Sequence, residues 1–108
     1  MGLILPDAAR FETAVYGTVF GNRRSAVERL EVGTRVMLVP DPPGVEAPSV
    51  WVHAPGGDVV GHLAPDVTRW LVPRMLDGVR YRATVHTVAP EDTESWKRLI
   101  ITVERITP

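Results

Sequence analysis

Five neighbouring residues, Phe20-Gly21-Asn22-Arg23-Arg24, hold the most specific chemistry in the chain. A phenyl ring can stack on a base, and a guanidinium can grip a phosphate with two parallel hydrogen bonds. An aromatic beside two arginines and a glycine, in a loop after a strand, therefore describes a stacking and phosphate-binding corner. The competing reading is a polar loop after a core phenylalanine. Catalytic chemistry finds less support. His53 and His62 fall on adjacent expected strands, yet Asp58 is the one carboxylate near them, and a metal site usually takes three protein ligands. The chain contains no HExxH, no phosphate-cradling glycine loop and no nucleophile-elbow context around Ser25, Ser49 or Ser95. Glu91-Asp92-Thr93-Glu94 pairs carboxylates, but in a solvated turn. A non-enzymatic protein without metal or cofactor is expected.

Composition narrows the classes further. The 108 residues suit one domain, and a chain of this length buries a core without staples. Cysteine is absent, which excludes disulfide scaffolds, thiolate metal sites and cysteine nucleophiles. Twelve Lys and Arg against 13 Asp and Glu leave a net charge of −1, so nucleic-acid binding requires a local patch rather than a global field. Arginine outnumbers lysine eleven to one, a bias that G+C-rich coding also produces. In MGLILPDAAR the apolar stretch Leu3–Leu5 is cut by Pro6, too short for a signal-peptide core or a membrane span. Residues 1–10 read as an N-terminal extension, with no membrane association and a cytoplasmic location expected.

The elements that must position the corner are mostly strands. Residues 11–20, 34–39, 49–54, 58–63, 80–88 and 97–106 carry β character. In RYRATVHTV, Tyr81, Ala83 and Val85 share one face; in KRLIITVER, Leu99, Ile101 and Val103 do. Such period-two alternation indicates antiparallel strands with one face on a core, and it puts Arg80, Arg82 and Arg98 together on the outward face. SVWVHA and VVGHL flank Pro55-Gly56-Gly57-Asp58, whose glycines accept the positive φ of a tight hairpin. A helix is expected over Pro65–Leu76, with Pro65 at its first position, Asp66 in its first turn and Gly78 as its stop. Pro73 should kink it or split it into two turns. Ser25 and Glu28 suggest a capping box for a short helix over Ser25–Leu30. Pro40–Pro48 holds four of the ten prolines and reads as a stiff loop. The expected fold is mainly β: one domain over residues 11–106, a small OB-like or SH3-like barrel of about six strands with the Pro65–Leu76 helix packed against it.

The order of several segments resembles the HIRAN domain family over roughly residues 11–88. The segments are Val15-Tyr16-Gly17-Thr18-Val19-Phe20, Leu30-x-x-Gly33, Arg35-Val36-Met37-Leu38-Val39-Pro40-Asp41, Val50-Trp51-Val52 and Gly57-Asp58-Val59-Val60-Gly61-His62-Leu63. Trp70-Leu71-x-Pro73-x-x-Leu76-Asp77-Gly78 completes the set. The resemblance implies an OB-like barrel that reads 3′ ends of single-stranded DNA, a role in DNA repair, and an ATPase, helicase or nuclease as protein partner. It implies Phe20 as stacking platform, with Asn22 beside it and Arg23 and Arg24 on phosphates. Glu46 would accept a terminal hydroxyl, and His62 would wall the pocket. The chain departs from the family pattern where Gly21 replaces a second aromatic, where the proline-rich loop lacks asparagine, and where Ala64-Pro65 replaces a basic residue. The alternative is an adaptor that binds another protein and no DNA.

Overall fold

A computed structural model describes residues 7–90 and 92–106, so the Leu3–Leu5 stretch and Glu91 of the acidic turn lie outside the described residues. Valine, isoleucine and threonine dominate the strands, because branched side chains fit a pleated, half-buried surface. Six strands result: β1 (Arg10–Ala14), β2 (Arg35–Pro40), β3 (Val50–His53), β4 (Val59–His62), β5 (Tyr81–Val88) and β6 (Leu99–Arg105). Their spatial order is β1-β6-β5-β2-β3-β4, and every pairing is antiparallel. The sheet curls into a half-barrel, and its two edges meet where Tyr16 bridges His62. Each backbone N–H of that pair donates to the other's carbonyl, at 2.8 and 2.9 Å. The fold is therefore mainly β, a small barrel-like sheet with helices, as the alternation predicts.

The barrel interior is filled by one face of each strand. Val15, Val50, Val52, Val60, Ile101 and Val103 are wholly buried there. The helix α2 (Pro65–Leu76) adds Val67, Leu71 and Val72, and its Trp70 meets Phe11 edge-on at 5.2 Å. It runs unbroken through Pro73, so the expected split into two turns does not occur. Proline removes a bond to the carbonyl four residues earlier, here that of exposed Arg69, which water can solvate. The helix ends as expected: Gly78 takes φ 94°, its N–H reaches the Met75 carbonyl, and the Val79 N–H reaches that of Arg74, the Schellman arrangement. At the N-terminal side of the fold, Ala8 packs against the core and Asp7 holds Arg74 through two hydrogen bonds of 2.7 and 2.9 Å.

Three other local expectations change. The strand expected over 11–20 stops at Ala14, since the chain leaves β6 at Val15 and crosses to β4 before turning at Gly17 (φ 73°). The short helix α1 spans Arg23–Glu28, starting two residues early, and no Ser25–Glu28 capping box forms. Its N-cap Asn22 is itself helical (φ −76°, ψ −1°), whereas a capping side chain works from an extended residue; Ser25 Oγ donates to the Asn22 carbonyl instead. A helical turn, α3 (Ser95–Arg98), replaces the start of the expected last strand. That turn swings Arg98 inward: it is buried, with Nη2 4.0 Å from Glu28, and does not share an outward face with Arg80 and Arg82. No described helix is long and apolar enough to cross a membrane.

Candidate nucleic-acid interface

The edge-to-edge closure decides which side chains meet. Trp51 alternates outward on β3 and stands opposite His62 on β4. The two rings touch edge-to-face at 5.7 Å, and Tyr16 stacks over His62 at 6.4 Å with 25° between the planes. α1 abuts β4 and brings Arg23 with it. Arg23 Nη1 donates to the Gly17 carbonyl at 3.0 Å, and the guanidinium lies 5.7 Å from the Phe20 ring and 5.8 Å from the Trp51 ring. A cation held between two aromatic faces is worth about 0.5–2 kcal/mol per contact. Gly17 makes this approach possible: a Cβ there would sit 3.1 Å from Arg23 Nη1 and 3.2 Å from the His62 ring, on backbone with positive φ.

Trp51 is locked from behind. Its Nε1–H donates to Asp41 Oδ1 at 2.9 Å, while Asp41 Oδ2 accepts the Ser49 N–H at 2.9 Å. These bonds, the Ser49 amide first and the Trp51 indole second, hold the Asp41 carboxyl below the usual carboxylate range. They also pin both ends of the proline-rich loop, since the Asp41 N–H bonds the Ser49 carbonyl. The clasp ties the two ends of that loop together in addition to the restriction its prolines place on φ.

Phe20 is 63% exposed, so the core-phenylalanine reading fails. Arg23 links Phe20 to Trp51, and Trp51 meets His62, so these side chains form one chain of contacts at this corner. Arg24 is exposed on the same turn with its Nε–H spent on the Val19 carbonyl at 3.2 Å, and Asn22 is exposed at the helix start. Glu46 stands apart from the ring cluster. It lines a groove of about 660 Å³ between the proline-rich loop and α2, with Pro48, Leu63, Val72 and Leu76 among its apolar walls. His62 lines that groove too and so joins it to the ring cluster. His53 faces Val59 across the hairpin rather than His62, and its Nδ1 lies 3.0 Å from the Gly57 carbonyl. Among the described residues no three His, Asp or Glu side chains gather at metal-binding spacing.

Tyr16, Trp51 and Asp41 are the members that sequence reasoning gave no role. Trp51 carried a readable sign: in VWVH it alternates with two valines that must face the core, which turns a large aromatic outward. Comparisons with protein-family models, with curated proteins and with solved structures gave no match.

Proposed function

We propose that this protein is a non-catalytic module that binds single-stranded nucleic acid at the corner made by Phe20, Arg23, Trp51 and His62. The observation that carries the reading is the exposed Phe20 ring beside a guanidinium that also covers Trp51. A base stacked on Phe20 would extend that cation–aromatic layer, and Arg23 and Arg24 would face the backbone phosphates. The HIRAN-like order of segments supports the same assignment and adds a role for the groove. There a strand's 3′ end would pass His62 and offer its terminal hydroxyl to Glu46.

The test is a fluorescence-anisotropy titration at low salt with short oligonucleotides whose 3′ end is free or phosphate-blocked. Binding is expected, with Phe20→Ala and Arg23→Ala each weakening it by about 1–3 kcal/mol, the value of one base stack. Glu46→Gln should erase any preference for the free end. Absence of binding would remove the reading; equal affinity for both ends would remove only the end recognition.

A further inference from the structure

The corner opens onto a partly exposed strip of the sheet's outer face. Alternation along β2 sends Val36 into the core and Arg35, Met37 and Val39 to the outside. Met37 is 51% and Val39 41% exposed, an apolar pair on the solvent face of a strand inside the sheet. Register sets Val39 directly beside Trp51, and Met37 directly beside His53. Trp51 is thus both a wall of the corner and the first member of an outward apolar row.

Two guanidiniums flank this row, while the nearby carboxylates are engaged: Asp41 by the Trp51 indole and the Ser49 amide, and Asp58 by Arg29. Arg23 lies over Trp51 at one end, and Arg35 closes the other, opposite Thr84 of β5. Arg35 forms no ion pair with any described residue. The three strands concerned, RVMLVP, VWVH and VVGH, contain no carboxylate. A strip of flat and flexible apolar groups between two guanidiniums, on a chain with net charge −1, is complementary to a polyanion that presents planar faces. Methionine suits it, being soft enough to pack under whichever base arrives.

We infer that a single strand seated at the corner continues along β2 and β3, with bases over Trp51–Val39 and then Met37–His53, and a phosphate at Arg35. Outward residues along a strand are spaced by about 6.6 Å, so the path from Trp51 to Arg35 measures about 13 Å. With the corner itself this makes a footprint of about four nucleotides, at the short end for single-strand modules. The inference rests on the corner being a nucleic-acid site, and the experiment separates the two.

Anisotropy titrations compare a labelled thymidine dinucleotide with an oligothymidylate of about eight nucleotides. The octamer should bind at least about tenfold tighter. Met37→Glu should remove that advantage and leave dinucleotide binding unchanged. Arg35→Ala should lower the slope of log affinity against log salt for the octamer by about 0.7, the share of one phosphate contact on a single strand. Phe20→Ala should weaken both ligands. Both substituted strip positions are exposed, and thermal melts check that the variants fold. If the dinucleotide binds but length, Met37→Glu and the Arg35→Ala salt slope make no difference, the strip is overturned and the corner stands. If neither oligonucleotide binds, both are overturned. Binding of both ligands at one affinity, with Met37→Glu abolishing self-association or capture of a protein, would reassign the strip to a protein partner.

Discussion

Gly61 is where the two edges of the half-barrel press hardest, and Gly61→Ala puts that closure to the test. A Cβ at position 61 would overlap the Tyr16 carbonyl oxygen and come within 2.6 Å of Val15 Cγ1. Neither neighbour is a flexible side-chain tip: one is backbone, and the other belongs to a fully buried valine. The methyl must therefore push the Val15–Tyr16 segment off β4. Overpacking of this kind costs about 1–3 kcal/mol. Displacement also strains the two Tyr16–His62 hydrogen bonds, each worth about 0.5–1.5 kcal/mol net. Restricting the unfolded chain returns about 0.4–1 kcal/mol. The expected loss is centred near 3 kcal/mol, a large part of the roughly 5–15 kcal/mol that holds a domain folded. For a domain of this size that lowers the melting temperature by at least about 10 °C. Circular-dichroism melts and urea titrations of wild type and variant measure it. Oligonucleotide affinity should fall as well, because His62 and Tyr16 move relative to Arg23. A melting temperature within about 3 °C of wild type would falsify the close approach and, with it, the account of how the corner is assembled.

The Asp41 clasp gives a pH-dependent prediction. Its folded-state pKa is depressed by the Ser49 amide and then the Trp51 indole, so its contribution is complete above the usual carboxylate range and is lost as pH falls through the lowered folded value. Asp41→Asn should therefore melt below wild type at neutral pH, with the gap closing in acid; a gap that stays constant with pH refutes the assignment. The same substitution should alter Trp51 emission, because the indole N–H loses its charged acceptor. Arg98 gives the opposite kind of prediction. Its guanidinium is buried, Nη1 has no hydrogen-bond partner among the described residues, and Glu28 is 4.0 Å away, a poor return for the desolvation. Arg98→Met should leave the melting temperature unchanged or raise it, and a loss beyond about 2 kcal/mol in urea titrations would show that the guanidinium supports the fold.

Much of the framework is legible in short stretches of the sequence. The Pro55–Asp58 hairpin, the start and stop of α2, and the buried faces of β5 and β6 all follow from residues within a few positions of one another. Turn glycines, a proline at a first helical position and period-two alternation act locally, so they can be read locally. Exposure of Phe20 beside Arg23 was partly legible for the same reason, since both belong to one turn. What the line of residues left open depends on partners far away in the chain. The inward swing of Arg98, the early end of β1 and the union of Tyr16, Arg23, Trp51 and His62 follow from the sheet order and from the paired bonds that join its edges. Strand register and barrel closure are collective: each is selected by the summed burial of valines, leucines and isoleucines from every strand, and no short segment records that sum. Sequence alone determined which elements exist and which faces are greasy; the tertiary closure decided which rings and guanidiniums share a surface, because only packing across the barrel sets those distances.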